Sequence, residues 1–253
     1  WDEPHGTYDV NYQDGRSFIL ARSNGRMDII NSELAFLGYR SGPEGEEPVV
    51  PSYGVSWKIP HNGFGNYLIT GNVRGSKFHH NYFGLYTYGA VGMTIQENEF
   101  YRNELYGMDP HDNSNYLLIE KNLAYENGRH GIILSAHSSN NTITGNTSYG
   151  NRLHGIMLND DSNTNLVEDN VVYDNTDGIA VNGSHKNFIS ANTILRNRSS
   201  GIRLNFNSSK NYLENNEIRD NENGIYVYGN ANHNSAVGNI VEQNTRGVYL
   251  KDV

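Results

Sequence analysis

The chain has 253 residues, 36% of them hydrophobic, with 38 Asn, 27 Gly and 18 Tyr, and it carries no Cys. The missing thiols exclude disulfide scaffolds, thiolate zinc sites and cysteine nucleophiles, and no apolar run approaches the roughly 20 residues that span a bilayer as a helix. With 28 acidic and 19 basic residues the net charge is −9, which repels nucleic acid and anionic membranes over the surface as a whole, so an anionic partner needs a local basic or polar groove.

In chain order, residues 1–83 carry strand-like segments without a strict period. The chain opens on Trp1 rather than Met and shows no basic-then-apolar leader, which fits a processed product whose targeting segment lies outside it. Asp28-Ile29-Ile30 and Tyr67-Leu68-Ile69 read as strands. Between them, residues 41–51 hold Gly42-Pro43, three Glu and two further Pro. That stretch reads as an acidic loop leaving the scaffold, either a lid or rim of a groove or a plain solvated insertion.

From Gly84 a strict repeat takes over. Gly followed by an apolar residue recurs at Gly84, Gly107, Gly131, Gly155, Gly178, Gly201, Gly224 and Gly247, at spacings of 23 or 24 residues. Two Asn ladders keep step with it, from Asn98 to Asn239 and from Asn103 to Asn244. After each Gly the residues alternate with period two, and positions one and three past it are nearly all apolar, as in Ile156/Leu158, Ile179/Val181 and Ile202/Leu204. These features predict an all-β fold, a right-handed parallel β-helix with coils of about 23 to 24 residues, in which inward side chains stack into a narrow apolar column. Eight such coils at ~4.8 Å make a rod of roughly 40 Å. The whole chain, 1–253, reads as one domain with the insertion at 41–51. The Asn residues serve turns and stacked amide ladders, and the Asn-X-Ser/Thr matches at Asn146, Asn182, Asn197 and Asn207 are weak signals for glycosylation.

One coil breaks the pattern. Where an apolar strand is expected, the chain reads Tyr106-Gly107-Met108-Asp109-Pro110-His111-Asp112, with Asp109 and His111 two apart and outward. Departures from scaffold rules are expected at functional sites, although Asp-Pro also opens ordinary turns. Neighbouring coils add to it: the outward position before the Gly carries Phe83, Tyr106, His130, His154 and Asp177, and the one four after it carries Tyr88, His111, Ser135 and Asn159. Equivalent positions in stacked strands lie about 5 Å apart, which places Tyr88, Tyr106, Asp109, His111, His130 and His154 in one patch, with His137 in reach of its rim. Such a set can carry protons near neutral pH. A His-rich metal site is the rival reading, and the Asp-rich turn at Asp160 and Asp161 leaves room for a structural calcium. No other cofactor is expected.

The seven residues from Tyr106 to Asp112 resemble the Tyr-Gly-x-Asp-Pro-His-Asp/Glu signature of mannuronan C5-epimerases. The likeness is greatest to the periplasmic, calcium-independent branch, and it extends through Ala35-Phe36-Leu37-Gly38-Tyr39, Ser52-Tyr53-Gly54-Val55-Ser56 and Arg129-His130-Gly131-Ile132-Ile133, covering almost the whole chain from about residue 18. The resemblance implies an extracytoplasmic enzyme that inverts C5 of β-D-mannuronate within alginate, giving α-L-guluronate without a redox cofactor. By the same resemblance His111 is the base, Tyr106 the donor on the far face and Asp109 the residue that orients or participates, with the two faces open to exchange. The substrate carboxylate must be neutralised before C5 becomes acidic. The resembled branch has an Arg for this where the present chain has Ala136, followed by His137. His137, His130, Lys58 and Arg129 are the candidates to replace it, with His154, Tyr88 and Asp112 as further substrate-binding candidates. Three functions follow: the epimerase, a polyuronate lyase using the same carbanion, and a catalytically silent carbohydrate-binding β-helix. The expected partner in each case is an anionic polysaccharide, and the sequence does not specify an oligomeric state.

Overall fold

The computed structural model describes residues 15–40 and 52–253, so the insertion expected at 41–51 lies outside the described residues. Each coil contributes three short strands to three parallel sheets. The first sheet has ten strands, starting with Ile19–Arg22 and Gly54–Lys58, passing through Phe83–Tyr88, Met108–His111, Ile132–Leu134 and His154–Asn159, and ending at Arg246–Lys251. The second and third sheets have nine strands each, and among the described residues there is no helix. The expected Gly-initiated strands all belong to the first sheet. Two earlier rungs extend it beyond the eight-coil ladder, their spacing hidden by residues 41–51 and by a register shift between Gly54 and Ser56.

The core is the predicted column. Trp57, Leu85, Met108, Ile132, Ile156, Ile179 and Ile202 are fully buried and joined in one cluster. Glycine recurs before each inward residue because of close approach between strands. At Gly155 a Cβ would run into the Val172 side chain and lie 2.8 Å from Asn175 Nδ2. Tyr67-Leu68-Ile69 is not the strand expected. Asn24 Oδ1 takes the Leu68 N–H at 2.8 Å, Ile69 makes only an isolated bridge to Ala90, and the strand of that coil is Asn72–Arg74.

The asparagines act as amide clamps between coils. Asn170 is typical: its Oδ1 accepts the backbone N–H of Asn146 at 2.9 Å, while its Nδ2 donates to the Ile143 carbonyl at 2.9 Å and to Asn192 Oδ1 at 2.9 Å. A third amide ladder, from Asn141 through Asn165, Asn187 and Asn211 to Asn234, runs beside the two read from the sequence. Asn146 and Asn197 are buried within these ladders, which removes both as glycan acceptors.

Each clamp holds buried backbone groups that have no water to turn to. Asn170→Ala strands the Asn146 N–H and the Ile143 carbonyl, and is expected to destabilise the protein by about 2–4 kcal/mol, read as a lower urea midpoint.

Candidate active site

Register in the first sheet turns three outward positions per strand into three rows along the axis. One row runs Tyr106, His130, His154, Asp177 and Ser200, as the stacked rings and paired strands show. The middle row runs Ser56, Tyr86, Asp109, and farther along Met157, Ala180 and Arg203. The third aligns Lys58, Tyr88 and His111. Asp109 and His111 therefore lie on one face of the strand Met108–His111, and Tyr106, just before that strand, packs on the same side against Phe83 and His130.

Tyr106 and His111 flank a buried aromatic floor. Phe83 stands 5.0 Å from the Tyr106 ring and 5.9 Å from Tyr86, whose ring is 5.7 Å from His111. Tyr106 and His111 are both half-buried. The Tyr106 hydroxyl accepts a hydrogen bond from Arg129 Nη1 at 3.1 Å. His111 Nδ1 is in hydrogen-bond contact with the Asp112 carboxylate. With Asp112 ionised, that bond holds the proton on Nδ1 and assigns the basic lone pair to Nε2. Asp109 is outward from the core but buried, and Ser135 Oγ donates to its Oδ1 at 2.7 Å.

Lys58 is the cation the structure brings to this floor. It is buried, with Nζ 4.6 Å from the Tyr53 ring centre, 5.0 Å from Tyr86 and 5.2 Å from Tyr88. Desolvation pushes its pKa down to about 8, against the pull of Asp112 and with the help of Arg22. Tyr86 is driven the other way, chiefly by burial and then by Tyr53 and Asp109, so it stays a phenol. Tyr88 completes the wall, its hydroxyl 3.1 Å from His61 Nδ1 and its ring stacked on Phe64.

The other histidines belong to different arrangements. His130 and His154 form a stacked column under Tyr106, with ring centres 5.3 and 4.7 Å apart in turn. Both are buried. Burial lowers both pKa values, with His154 and Arg129 adding to the effect at His130. The shift favours the neutral imidazole at both positions. The backbone N–H of His154 donates to His130 Nδ1 at 3.3 Å, which puts the His130 proton on Nε2. His154 Nδ1 lies 3.2 Å from Asp177 Oδ2 but off the line of a full hydrogen bond. Arg203 holds the pair together, 3.0 Å from Asp177 and 3.2 Å from His154 Nε2. Burial alone would raise the Asp177 pKa, but His154 and Arg203 overcome it and hold it low.

His137 does not join the patch. Ala136 and His137 are both left-handed, with φ of 49° and 66°, and form the turn that follows the strand. The imidazole faces the next coil, where Asp161 lies between His137 at 3.9 Å and His185 at 3.6 Å. Among the described residues no three His, Cys, Asp or Glu side chains converge on a metal position. Sequence reasoning missed the roles of Tyr86 and Tyr53, of which the outward row through Asp109 could have revealed Tyr86, and it placed Asp177 in the row after His154 without pairing it to Arg203.

A family model described as the right-handed β-helix region matches residues 61–171 and 133–252, and the chain belongs to that family. Within that broad class, its sequence is similar to mannuronan C5-epimerases. The Pseudomonas putida enzyme is 33% identical over 108 residues, which is 41% of this chain and 19% of that protein, and the Pseudomonas fluorescens enzyme is 34% identical over the same shares. The chain thus spans about a fifth of the length of these curated relatives in the matched region. The crystal structure of the periplasmic alginate epimerase AlgG superposes with a TM-score of 0.79 at 28% identity, covering 93% of this chain and 61% of that one. The Azotobacter vinelandii AlgE6 A-module, at 16% identity and a TM-score of 0.51 over 94% of this chain and 90% of that one, shares the fold. The likeness expected from the sequence stands, with the AlgG branch as its reference.

The lowered Lys58 pKa makes a stability prediction. Below pH 8 the amine is charged in both folded and unfolded chains, so the desolvation cost is fully present. The cost disappears as pH rises from about 8 toward the unfolded value of about 10.4. Lys58→Met is therefore expected to raise the urea midpoint at pH 7, with the gain shrinking above pH 8.

Proposed function

We propose that this chain is a C5-epimerase of polymeric β-D-mannuronate, acting outside the cytoplasm. The observation that carries the reading is the pairing of a phenol backed by Arg129 and an imidazole backed by Asp112, on either side of an aromatic floor beside Lys58. The names and partial identity of the relatives support the substrate class.

In this reading the uronate ring lies over Tyr86, between Tyr106 and His111. Lys58 neutralises the carboxylate, taking the place of the Arg absent at Ala136. It enters as a point charge held by three aromatic faces, an arrangement worth most where water is excluded. Withdrawal of charge from the carboxylate makes C5 acidic. His111 Nε2 removes the proton, and Asp112 stabilises the imidazolium that forms. The Tyr106 hydroxyl returns a proton to the opposite face, with Arg129 stabilising the phenolate left behind. Asp109, fixed by Ser135, orients the ring. His130 and His154 act as a stack that positions Tyr106. No step draws on a metal or an organic cofactor.

Incubation with polymannuronate in deuterated water, followed by proton NMR, is expected to show new guluronate signals with deuterium at C5. An unsaturated, ultraviolet-absorbing product would instead make the chain a lyase, and bound polymer without exchange would leave a carbohydrate-binding scaffold. His111→Ala and Tyr106→Phe are each expected to lower kcat by about 10²–10⁴-fold.

The Lys58 assignment has its own signature. As pH rises through about 8 the amine loses its charge, so kcat/KM is expected to fall over that range in the parent chain. Lys58→Met should show the low kcat/KM at every pH, and a parent profile flat between pH 7 and 9 would remove Lys58 from this role.

A further inference from the structure

The outer row that starts at Tyr106 continues through His130, His154, Asp177 and Ser200. Outward positions on a solenoid normally meet water, yet these last four are all buried. The far end of the row is an ion pair that no step above uses. Asp177 Oδ1 accepts the Ser200 backbone N–H at 3.0 Å, and its Oδ2 lies 3.0 Å from Arg203 Nη1.

Arg203 starts from the middle row, where it pairs with Ala180 of the preceding coil. Ala180 is small and fully buried, which leaves the guanidinium room to fold back across two rungs, where Nη2 lies 3.2 Å from His154 Nε2. A guanidinium only donates hydrogen bonds. His154 Nε2 is therefore an acceptor, and the proton sits on Nδ1, the nitrogen 3.2 Å from Asp177 Oδ2. One tautomer satisfies both partners; the other would set an N–H against the guanidinium and a lone pair against the carboxylate.

The near end of the row is held by packing. Phe83 meets the Tyr106 ring edge-on at 5.0 Å and His130 lies face-on to it at 5.3 Å. His130 is stacked in turn on His154 at 4.7 Å and takes the His154 backbone N–H on Nδ1. In an interior packed to this density, a rotation of His154 opens space beside His130 and then beside Tyr106.

We infer that Asp177 and Arg203 are positioning residues for Tyr106: by locking the His154 ring they hold the His154–His130 stack, and with it the phenol hydroxyl at the groove. The inference rests on the proposed function for what Tyr106 delivers, the proton returned to C5, but the placement of the phenol does not depend on it. Alignment of a reacting group acts on the transition state. The pair therefore governs kcat and the face on which the proton returns, and leaves KM alone.

The test uses Arg203→Met and the double variant Arg203→Met/Asp177→Asn, which leaves no lone buried charge. Its first readout needs no activity. Nitrogen NMR of the imidazoles is expected to show His154 protonated at Nδ1 in the parent and to lose that preference in both variants. The phenol-carbon resonance of Tyr106, assigned with Tyr106→Phe, is expected to move with it. Asn170→Ala, which loosens an amide ladder and leaves this column intact, should change neither signal. The second readout is polymannuronate in deuterated water. There kcat should fall about tenfold at constant KM. With the phenol misplaced, His111, its captured proton exchanged for deuterium, returns the deuteron to the face it came from, so deuterium appears at C5 of mannuronate that has not inverted. An unmoved Tyr106 resonance, a raised KM with unchanged kcat, or the same changes from Asn170→Ala would overturn the positioning role. A moved resonance in a chain whose parent converts no polymer keeps the positioning pair and sinks the epimerase.

Discussion

Everything in this molecule depends on strands of successive coils staying in parallel register. A coil is one hydrogen-bonded step, about 4.8 Å, and whatever faces outward at one rung is presented beside its equivalent at the next. Register is held from two sides. Buried apolar side chains stack inside, and three ladders of asparagine amides tie buried backbone groups of each coil to those of the next. The hydrophobic term gives cohesion without direction. The amides supply position, because a slip of one residue would leave every clamp facing the wrong carbonyl.

That rigidity lets the outer face hold groups that would otherwise be unfavourable. Lys58 is largely desolvated on aromatic rings, Asp109 is buried against Ser135, and Asp177 is buried between His154 and Arg203. Each costs stability, and the column of isoleucine, leucine and valine beneath offsets it. The His130–His154 stack illustrates the same principle with opposite charge logic: burial keeps both rings neutral, so they pack like aromatic side chains while still fixing the ring above them.

Much of this was legible in the sequence because a solenoid converts spacing into proximity. The Gly and Asn periods located the rungs, and period-two alternation located the faces, which brought Tyr88, Tyr106, Asp109 and His111 to one surface, whereas Lys58, on a rung before the strict repeat, was named only through the family resemblance. What spacing does not encode is the direction of a side chain at a corner. His137 sits one residue past Ala136 in a left-handed pair, and that backbone sends its ring toward Asp161. Nor does spacing report desolvation, so the burial that lowers the pKa of His130 and His154 was not visible, and Tyr86 drew no attention as an outward residue in a run that reads as aromatic core. The early rungs were hidden by the bulge at Gly54/Ser56 and by Leu68, whose N–H is taken by an asparagine side chain in place of a neighbouring strand.

The unvarying rise per coil also makes this architecture extensible by whole units. Duplicating or deleting one complete 23-residue turn beyond the Arg203 coil would preserve the interior stacking and the amide clamps, since each turn meets its neighbours through the same contacts. The coil that carries Tyr106 and His111 would be untouched while the molecule's span lengthened or shortened by one strand step. The length of the outer face can thus change separately from the groups gathered at that coil.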